Sequence, residues 1–414
     1  MHNHAIAEQK PQISILDRGL RILVHRALSS LPEGRLNIIE GNTSYSFGEA
    51  TPTPLSAQIN VRDSRLYRAL GLGGSIGAAE AYANNWWNTD DLTAVIRIMA
   101  RNRSTTSRLE GWLTSLTWII HRINLFTKRN AKRQSQRNIS AHYDLGNDFF
   151  STFLDRTMTY SCAIFPSAGS SLEDASKYKL DRICQQLALS PDDELLEIGS
   201  GWGSLAIHAA TNYDCRVVTT TISSQQFEYV SELIRKQGLQ NRIIVLKSDY
   251  RDLPKRLGKQ FNKVVSVEMI EAVGDQYLNQ YFQICNTMTT DGGRMLLQSI
   301  IISDELYESY RRSVDMIQRY IFPGGFLPSL TDIQSRLTQQ TSFDIENSWD
   351  ISEHYPRTLR LWRAAFTEHW PELRNAGYSQ WLLRMWEYYF CYCEGGFLEH
   401  TVGDVQLLLH KRTS

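Results

Sequence analysis

Between about residue 177 and residue 300, short apolar runs alternate with amphipathic stretches. The runs at 194–198, 215–221, 242–247, 262–267 and 293–300 read as strands, and the stretches at 203–211, 223–237 and 276–289 read as helices. Regular strand–helix alternation predicts an α/β domain with a parallel sheet covered on both faces. Ligands of such sheets sit beyond the carboxyl ends of the strands. The residues to inspect are therefore those just after each run.

Upstream, residues 1–102 mix an amphipathic segment (Leu16, Leu20, Ile22, Leu23, Leu28), strand-like runs at 36–39 and 57–61, and two later helices, which predicts a small α+β domain. Its glycine-rich stretch Gly71-Leu-Gly-Gly-Ser-Ile-Gly77 can be a helix-to-helix turn or a phosphate cradle, and no Lys-Ser/Thr follows it. Residues 103–140 then change character. Trp112, Leu116, Trp118, Ile120 and Phe126 precede Lys128, Arg129, Lys132, Arg133 and Arg137, with Glu110 the only acid. Such a segment can meet anionic lipid headgroups, or it can be a linker whose apolar half packs on the next domain. Downstream, residues 304–320 read as helix and Phe322-Pro-Gly-Gly325 breaks it. An aromatic-rich stretch follows at 354–397, and a last strand runs from Asp404 to His410.

The first strand of the central region runs straight into Gly199-Ser-Gly-Trp-Gly203. Glycines there let the backbone turn sharply and approach a ligand, with the next helix pointing its N-terminus at it. A dinucleotide turn is usually G-x-G-x-x-G with an acid about 20 residues later. Here the spacing is G-x-G-x-G, Glu197 stands just ahead, and the second strand ends in Thr219-Thr-Thr-Ile-Ser223 with no acid. That pattern favours S-adenosylmethionine over a nicotinamide, with a structural turn or another nucleotide as the alternative.

Composition narrows the partners. Lys+Arg and Asp+Glu both total 44, which leaves no charge-based case for nucleic acid across the chain as a whole. Six cysteines without a C-x-x-C pair suit a reducing compartment, and the polar N-terminus lacks the plan of a signal peptide. No apolar run reaches 18 residues, so a cytoplasmic protein with at most peripheral membrane contact is expected. No metal site is expected: Cys391 and Cys393 form a C-x-C pair without a nearby His.

Several motifs in one order are more specific than any one. Tyr143-Asp-Leu-Gly-Asn-Asp-Phe-Phe150, Met158-Thr-Tyr-Ser-Cys162, Gly199–Gly203, Thr221-Ile-Ser-Ser-Gln-Gln226, Asp249-Tyr-Arg-Asp-Leu253, Ile270-Glu-Ala-Val-Gly274, Tyr320-Ile-Phe-Pro-Gly-Gly325 and Tyr388–Phe397 together resemble the cyclopropane-fatty-acyl-phospholipid synthase family over roughly residues 15–411. The mycolic acid cyclopropane synthases are more distant kin that share only the catalytic part. The resemblance implies a class I S-adenosylmethionine-dependent methyltransferase (Rossmann-like) sheet with a helical lid over residues 141–414. It also implies an N-terminal domain for lipid recognition and dimerisation, and a basic amphipathic linker at 103–140. The implied reaction adds a methylene from S-adenosylmethionine to the cis double bond of an unsaturated membrane phospholipid, through a carbocation that loses a proton as the ring closes.

Carried over by motif, Tyr160, Ser161, Glu197, Gly199, Gly201, Gly203, Thr221, Gln225, Gln226, Tyr250 and Arg251 would lie at the cofactor, with Asp249 either accepting from the adenine amino group or capping its loop. The family's bicarbonate cage falls on Cys162, Glu271, Gln298, Ile300 and Tyr355. Gln298 departs from the family histidine, and an amide cannot titrate, so dependence on bicarbonate is less secure here than alkylation. Cys393 matches a family cysteine, yet alkylation through a cation needs no thiol, which makes Cys391 and Cys393 pocket-wall or core residues. Lys128, Arg129, Lys132 and Arg133 are the membrane-binding candidates, and the enzyme would work as a peripheral protein at the inner membrane surface. Alternatives are a fatty-acyl C-methyltransferase with a methyl-branched or methylene product, and a silent lipid-binding protein. A nucleic-acid methyltransferase would want a base-holding motif where this chain has Glu268-Met-Ile-Glu271.

Overall fold

The computed structural model describes residues 14–49, 55–103 and 145–413, which fall into two compact units. Lys128, Arg129, Lys132, Arg133, Tyr143 and Asp144 lie outside the described residues.

In the first unit, helix α1 (Ile15–Leu28) buries Leu20, Val24 and Leu28 at four-residue spacing, and Ser14 caps it by accepting from the Asp17 N–H at 3.0 Å. Strands β1 (Arg35–Glu40), β2 (Thr43–Phe47), β3 (Ser56–Val61) and β4 (Trp87–Asn88) form a sheet in the order β2-β1-β3-β4, with only the β1–β3 pair parallel. Helix α2 (Arg65–Ala83) kinks at Gly74, and Gly71 admits the Leu20 side chain of α1 against its backbone. The glycine-rich stretch is thus a helix junction. Helix α3 (Leu92–Arg101) follows, capped by Asp91.

The second unit is built on a seven-stranded sheet in the order β10-β11-β9-β8-β5-β6-β7. Strands β5 (Glu194–Ile198), β6 (Arg216–Thr221), β7 (Ile243–Lys247), β8 (Phe261–Val267) and β9 (Thr289–Ile302) are parallel neighbours, while β11 (Val402–Lys411) lies antiparallel between β9 and β10 (Phe343–Asp350). Alternation along β5 feeds two cores. Leu195 joins the apolar face of helices α5 (Leu172–Gln186), α6 (Ser204–Asn212) and α7 (Ser224–Gln237). Leu196 and Ile198 join the opposite face, under α8 (Leu253–Leu257), α9 (Leu278–Met288) and α11 (Leu330–Gln340), with α10 (Asp304–Tyr310) preceding α11. Because β6 and β8 flank β5 on opposite sides, strand order reverses at the carboxyl end of β5, the place where sheets of this kind bind their ligands.

The aromatic-rich stretch becomes α12 (Tyr355–Glu368), α13 (Trp370–Asn375) and α14 (Gln380–Leu398), which pack with the short α4 (Asn147–Ser151). Phe149, Phe150, Phe153, Trp362, Phe366, Trp386 and Phe390 are all buried, so most of these rings are core. One expectation changes, and two elements are additional. The helix over 304–320 ends at Tyr310, and a single π-helical turn at Ile317–Ile321 follows. Strand β10 occupies a stretch without strong strand signals, and α5 precedes the first strand although it carries a full capping box at Ser171 and Asp174. No helix among the described residues is long and apolar enough to cross a membrane.

Candidate active site

The glycine turn sits at the carboxyl end of β5. Gly199, Gly201 and Gly203 all have positive φ, and a Cβ on Gly199 or Gly203 would come within 2.9 Å of Met269 or Val230. At Gly201 a Cβ would meet no atom of the described residues within 4 Å, so the turn presents bare backbone there, as a cofactor cradle requires. Beside it, Thr221 at the end of β6 donates to the Gln226 side chain at 2.8 Å and accepts from the Ser223 N–H at 3.1 Å, which fixes the start of α7; Gln225 is half-buried there. After β7, both oxygens of Asp249 are taken by the Arg251 guanidinium at 2.6–2.8 Å, and Oδ1 also accepts the Arg251 N–H. Asp249 thus caps its loop and orients Arg251, whose guanidinium lies 5.4 Å from the rings of Tyr250 and Tyr277. The segment 159–162 is tied to this edge by a Thr159–Ser204 hydroxyl contact of 3.1 Å. The Ser161 hydroxyl accepts from the buried Lys179 ammonium at 2.6 Å.

Glu197 has a different place. It is buried on the α5 face of the sheet, and its carboxyl accepts from the Thr219 hydroxyl at 2.5 Å, so it supports the strand pair beneath the turn. Burial pushes Glu197 up to about 8, against the hydrogen bond from Thr219 and the charge of Lys179. A folded value above the ordinary 4.5 means stability that is fully present below that pH and lost as pH rises through about 8. Glu197→Gln is expected to flatten this alkaline loss in denaturation curves taken at pH 6 and pH 9, with cofactor affinity within about twofold of wild type. A large loss of affinity would return Glu197 to the cofactor.

Beyond β8 the chain assembles a hub that the motifs did not single out. Glu268 Oε1 accepts from the Cys162 N–H and from Gln298 Nε2, both at 2.8 Å, and its Oε2 accepts from the Tyr355 hydroxyl at 2.5 Å. Three of the five expected cage residues therefore converge on one carboxylate of the chain. Ile300 instead donates its N–H to Glu271 Oε1 at 2.6 Å, and Ser299 donates there at 3.3 Å. Glu271 Oε2 is buried with no hydrogen-bond partner among the described residues, and burial, then the charge of Glu268, pushes Glu271 up to about 8. Gln298 also donates to Asp404 Oδ2 and accepts from Gln406, both at 3.0 Å, which settles its amide orientation. Burial and the charge of Glu268 hold the Asp404 carboxyl well above the usual range. Cys162 contributes its backbone; burial, then the charges of Asp404 and Glu268, raise its thiol far from ionisation. Cys393 lies on α14, its thiol pushed up by burial and then by the charges of Asp315 and Cys391, and no described hydrogen bond joins it to the hub.

Aromatic rings wall the hub. Tyr355 stacks on Phe397 at 4.3 Å and meets Trp362 edge-on at 6.3 Å. Trp362 is 5.3 Å from Tyr160, which stacks on Phe322 at 6.3 Å and faces the Tyr389 hydroxyl at 3.3 Å. Tyr160 and Phe322 stay half-exposed, the only two of these six rings to do so. Among the described residues no cluster of His, Cys, Asp and Glu is arranged to hold a metal.

The mycolic acid cyclopropane synthetase family matches residues 130–407. The chain is 34% identical over 389 residues to the tuberculostearic acid methyltransferase UfaA1 of Mycobacterium tuberculosis, covering 91% of this chain and 87% of that protein. It is equally, 34%, identical over 390 residues to the cyclopropane-fatty-acyl-phospholipid synthase of Escherichia coli K12, covering 91% and 93%. Among solved structures, the cyclopropane synthase MmaA2 from Mycobacterium tuberculosis superposes with a TM-score of 0.61 at 28% identity, over 67% of this chain and 98% of that one. Mycolic acid cyclopropane synthase CmaA1 complexed with SAH and CTAB gives 0.62 over the same shares. The reversing sheet with one antiparallel strand between β9 and β10 is accordingly a Rossmann-like class I methyltransferase fold, with S-adenosylmethionine as co-substrate. Matched over two thirds of its length by the family and nearly end to end by two relatives, this chain belongs to the mycolic acid cyclopropane synthetase family of S-adenosylmethionine-dependent enzymes.

Proposed function

We propose that the chain is a cyclopropane-fatty-acyl-phospholipid synthase acting on the cis double bond of an unsaturated phospholipid acyl chain. The observation that carries the reading is the ring-walled hub: Tyr355, stacked on Phe397, donates to the partly buried Glu268 carboxylate, and Trp362, Tyr160, Phe322 and Tyr389 continue the wall toward Trp202 of the glycine turn. S-adenosylmethionine supplies an electrophilic methyl group. The turn Gly199–Gly203, Thr221, Gln226, Tyr250, Arg251, Tyr160 and Ser161 would hold it. An alkene is a weak nucleophile, so holding the double bond in line matters most, and such positioning supplies roughly 7–11 kcal/mol. The rings exclude water from the cationic chain, and each aromatic face stabilises a nearby cation by about 0.5–2 kcal/mol without reacting with it. Lys128, Arg129, Lys132 and Arg133 supply the attraction to anionic headgroups, about 1 kcal/mol each. Work at the membrane surface follows from that attraction.

Relatives of both product types match at the same identity, which supports a second reading in which the same cation ends as a methyl branch or a methylene. One experiment separates these. The full chain is incubated with S-adenosylmethionine carrying a trideuteriomethyl group and anionic vesicles of a cis-monounsaturated phospholipid, and the fatty acids are read by gas chromatography and mass spectrometry. A new acid that retains two deuteriums and resists mild hydrogenation is the expected ring. Two deuteriums with uptake of hydrogen mark a methylene, and three mark a methyl branch. No lipid product at all sinks the lipid reading, and vesicle binding that ignores replacement of the four basic residues by serine removes the headgroup contact.

A further inference from the structure

Glu268 is held in a backbone conformation that its residue type avoids. Its φ is +45°, in the left-handed region, and its N–H is tied to the Gln298 carbonyl at 2.9 Å. Such strain at a non-glycine residue is unfavourable and persists only where the surroundings impose it. What the conformation achieves is visible in the hydrogen bonds. The carboxylate is delivered to the Cys162 N–H, the Gln298 amide and the Tyr355 hydroxyl together, in contacts of 2.5–2.8 Å. An ionised carboxylate offers about four lone-pair sites, so three donors fix its orientation and leave capacity for one more hydrogen.

The donors expected to surround a dissociable anion are thereby satisfied within the chain. Cys162, Gln298 and Tyr355 give to Glu268, and Ile300 gives to Glu271. Asp404 completes the group from the far side of Gln298. Its Oδ1 has no hydrogen-bond partner among the described residues, and burial, then the charge of Glu268, favours its neutral form.

We propose that Glu268 is the proton acceptor of the ring-closing step, a base built into the chain where a bicarbonate would otherwise be bound. The inference rests on the alkene-alkylating reading above. The alkene π pair forms the new bond to the incoming carbon while the carbon–sulfur pair leaves with sulfur. Glu268 takes one hydrogen of that carbon as a proton, and the freed C–H pair closes the third side of the ring. The proton then leaves Glu268 for solvent as product departs, and no oxidant or reductant enters.

The test uses the full chain, S-adenosylmethionine and cis-monounsaturated phospholipid vesicles in buffer stripped of carbon dioxide, then with bicarbonate restored. Wild-type turnover is expected to be the same in both. Glu268→Gln should lose at least about 100-fold in turnover, the usual scale of a lost general base, with cofactor affinity unchanged and no recovery in bicarbonate. Glu268→Gly, which vacates the three donors, should lose as much in stripped buffer and regain at least tenfold when bicarbonate is added. Carbon-13 NMR of labelled bicarbonate should show broadening with Glu268→Gly and none with wild type. Wild-type turnover that falls when bicarbonate is removed overturns the inference without any variant and leaves the alkylation reading intact. Glu268→Gln within threefold of wild type overturns it as well. A wild type inactive on lipid in both buffers defeats the alkylation reading and this inference with it.

Discussion

Replacing Gly203 by valine is expected to abolish measurable binding of S-adenosylmethionine and to destabilise the catalytic unit by about 2–6 kcal/mol. Two penalties add. Gly203 has φ +89°, a conformation that a β-branched residue adopts only under strain of roughly 1–3 kcal/mol. Its Cβ would also lie 2.9 Å and 3.2 Å from the two methyls of Val230, which is fully buried on α7, and overpacking of this kind costs about 1–3 kcal/mol. Relief requires either α7 or the turn to move, and the turn carries the backbone that faces the ligand. Gly201→Ala is the companion variant. Its Cβ meets nothing, so only the left-handed backbone is penalised, by roughly 1–2 kcal/mol, and the chain stays folded while the bare surface is filled. Calorimetric titration with the cofactor and denaturation curves measure both. Wild-type affinity in folded Gly201→Ala would show that the cofactor does not lie against this turn.

The second large effect lies in the lid. Trp386→Ala should cost about 3–5 kcal/mol, a drop of roughly 6–20 °C in Tm. The indole lies 4.9 Å from Phe149, 5.5 Å from Tyr389, and 5.8–5.9 Å from Phe150, Phe153 and Phe390, and so joins α4 to α14. Removing it empties the centre of a ring cluster that cannot collapse without shifting Phe150, which packs 4.9 Å from Trp202 of the glycine turn. Trp386→Phe should recover most of the loss in thermal unfolding. A loss below about 1 kcal/mol would show that the lid helices unfold separately from the sheet.

Much of this was legible in the chain because it is written locally. Each strand from β5 to β9 is an apolar run closed by turn residues, and the glycine turn follows directly in sequence from its strand. β10 is harder to read: it is an edge strand whose Asp344, Glu346, Asn347 and Ser348 face solvent, so burial leaves little trace in its composition. α5 was readable from Ser171 and Asp174, a spacing easily passed over ahead of a stronger motif. The break after Tyr310 lies within a continuous amphipathic pattern, and the contact seen there, Tyr310 on Phe326 at 5.7 Å, leaves no local mark in the sequence. Glu268 shows the limit most clearly. It stands three residues from a motif glutamate, and only the left-handed backbone and the meeting of 162, 298 and 355 reveal what it does. Those contacts span 30 to 106 positions, beyond the reach of local pattern.

The antiparallel strand β11 is hydrogen-bonded on both sides, to β9 and to β10, and it carries Asp404 and Gln406 to the Gln298 amide. It is also translated after every other strand of the sheet. A nascent chain can therefore form β5 to β8 and the glycine turn on the ribosome while the Gln298 amide still lacks its two fixed partners. Assembly of the chemistry waits for residue 406 to emerge, so the order of synthesis places cofactor-turn formation before a competent hub, and a chain stalled short of β11 would expose the edge of β9.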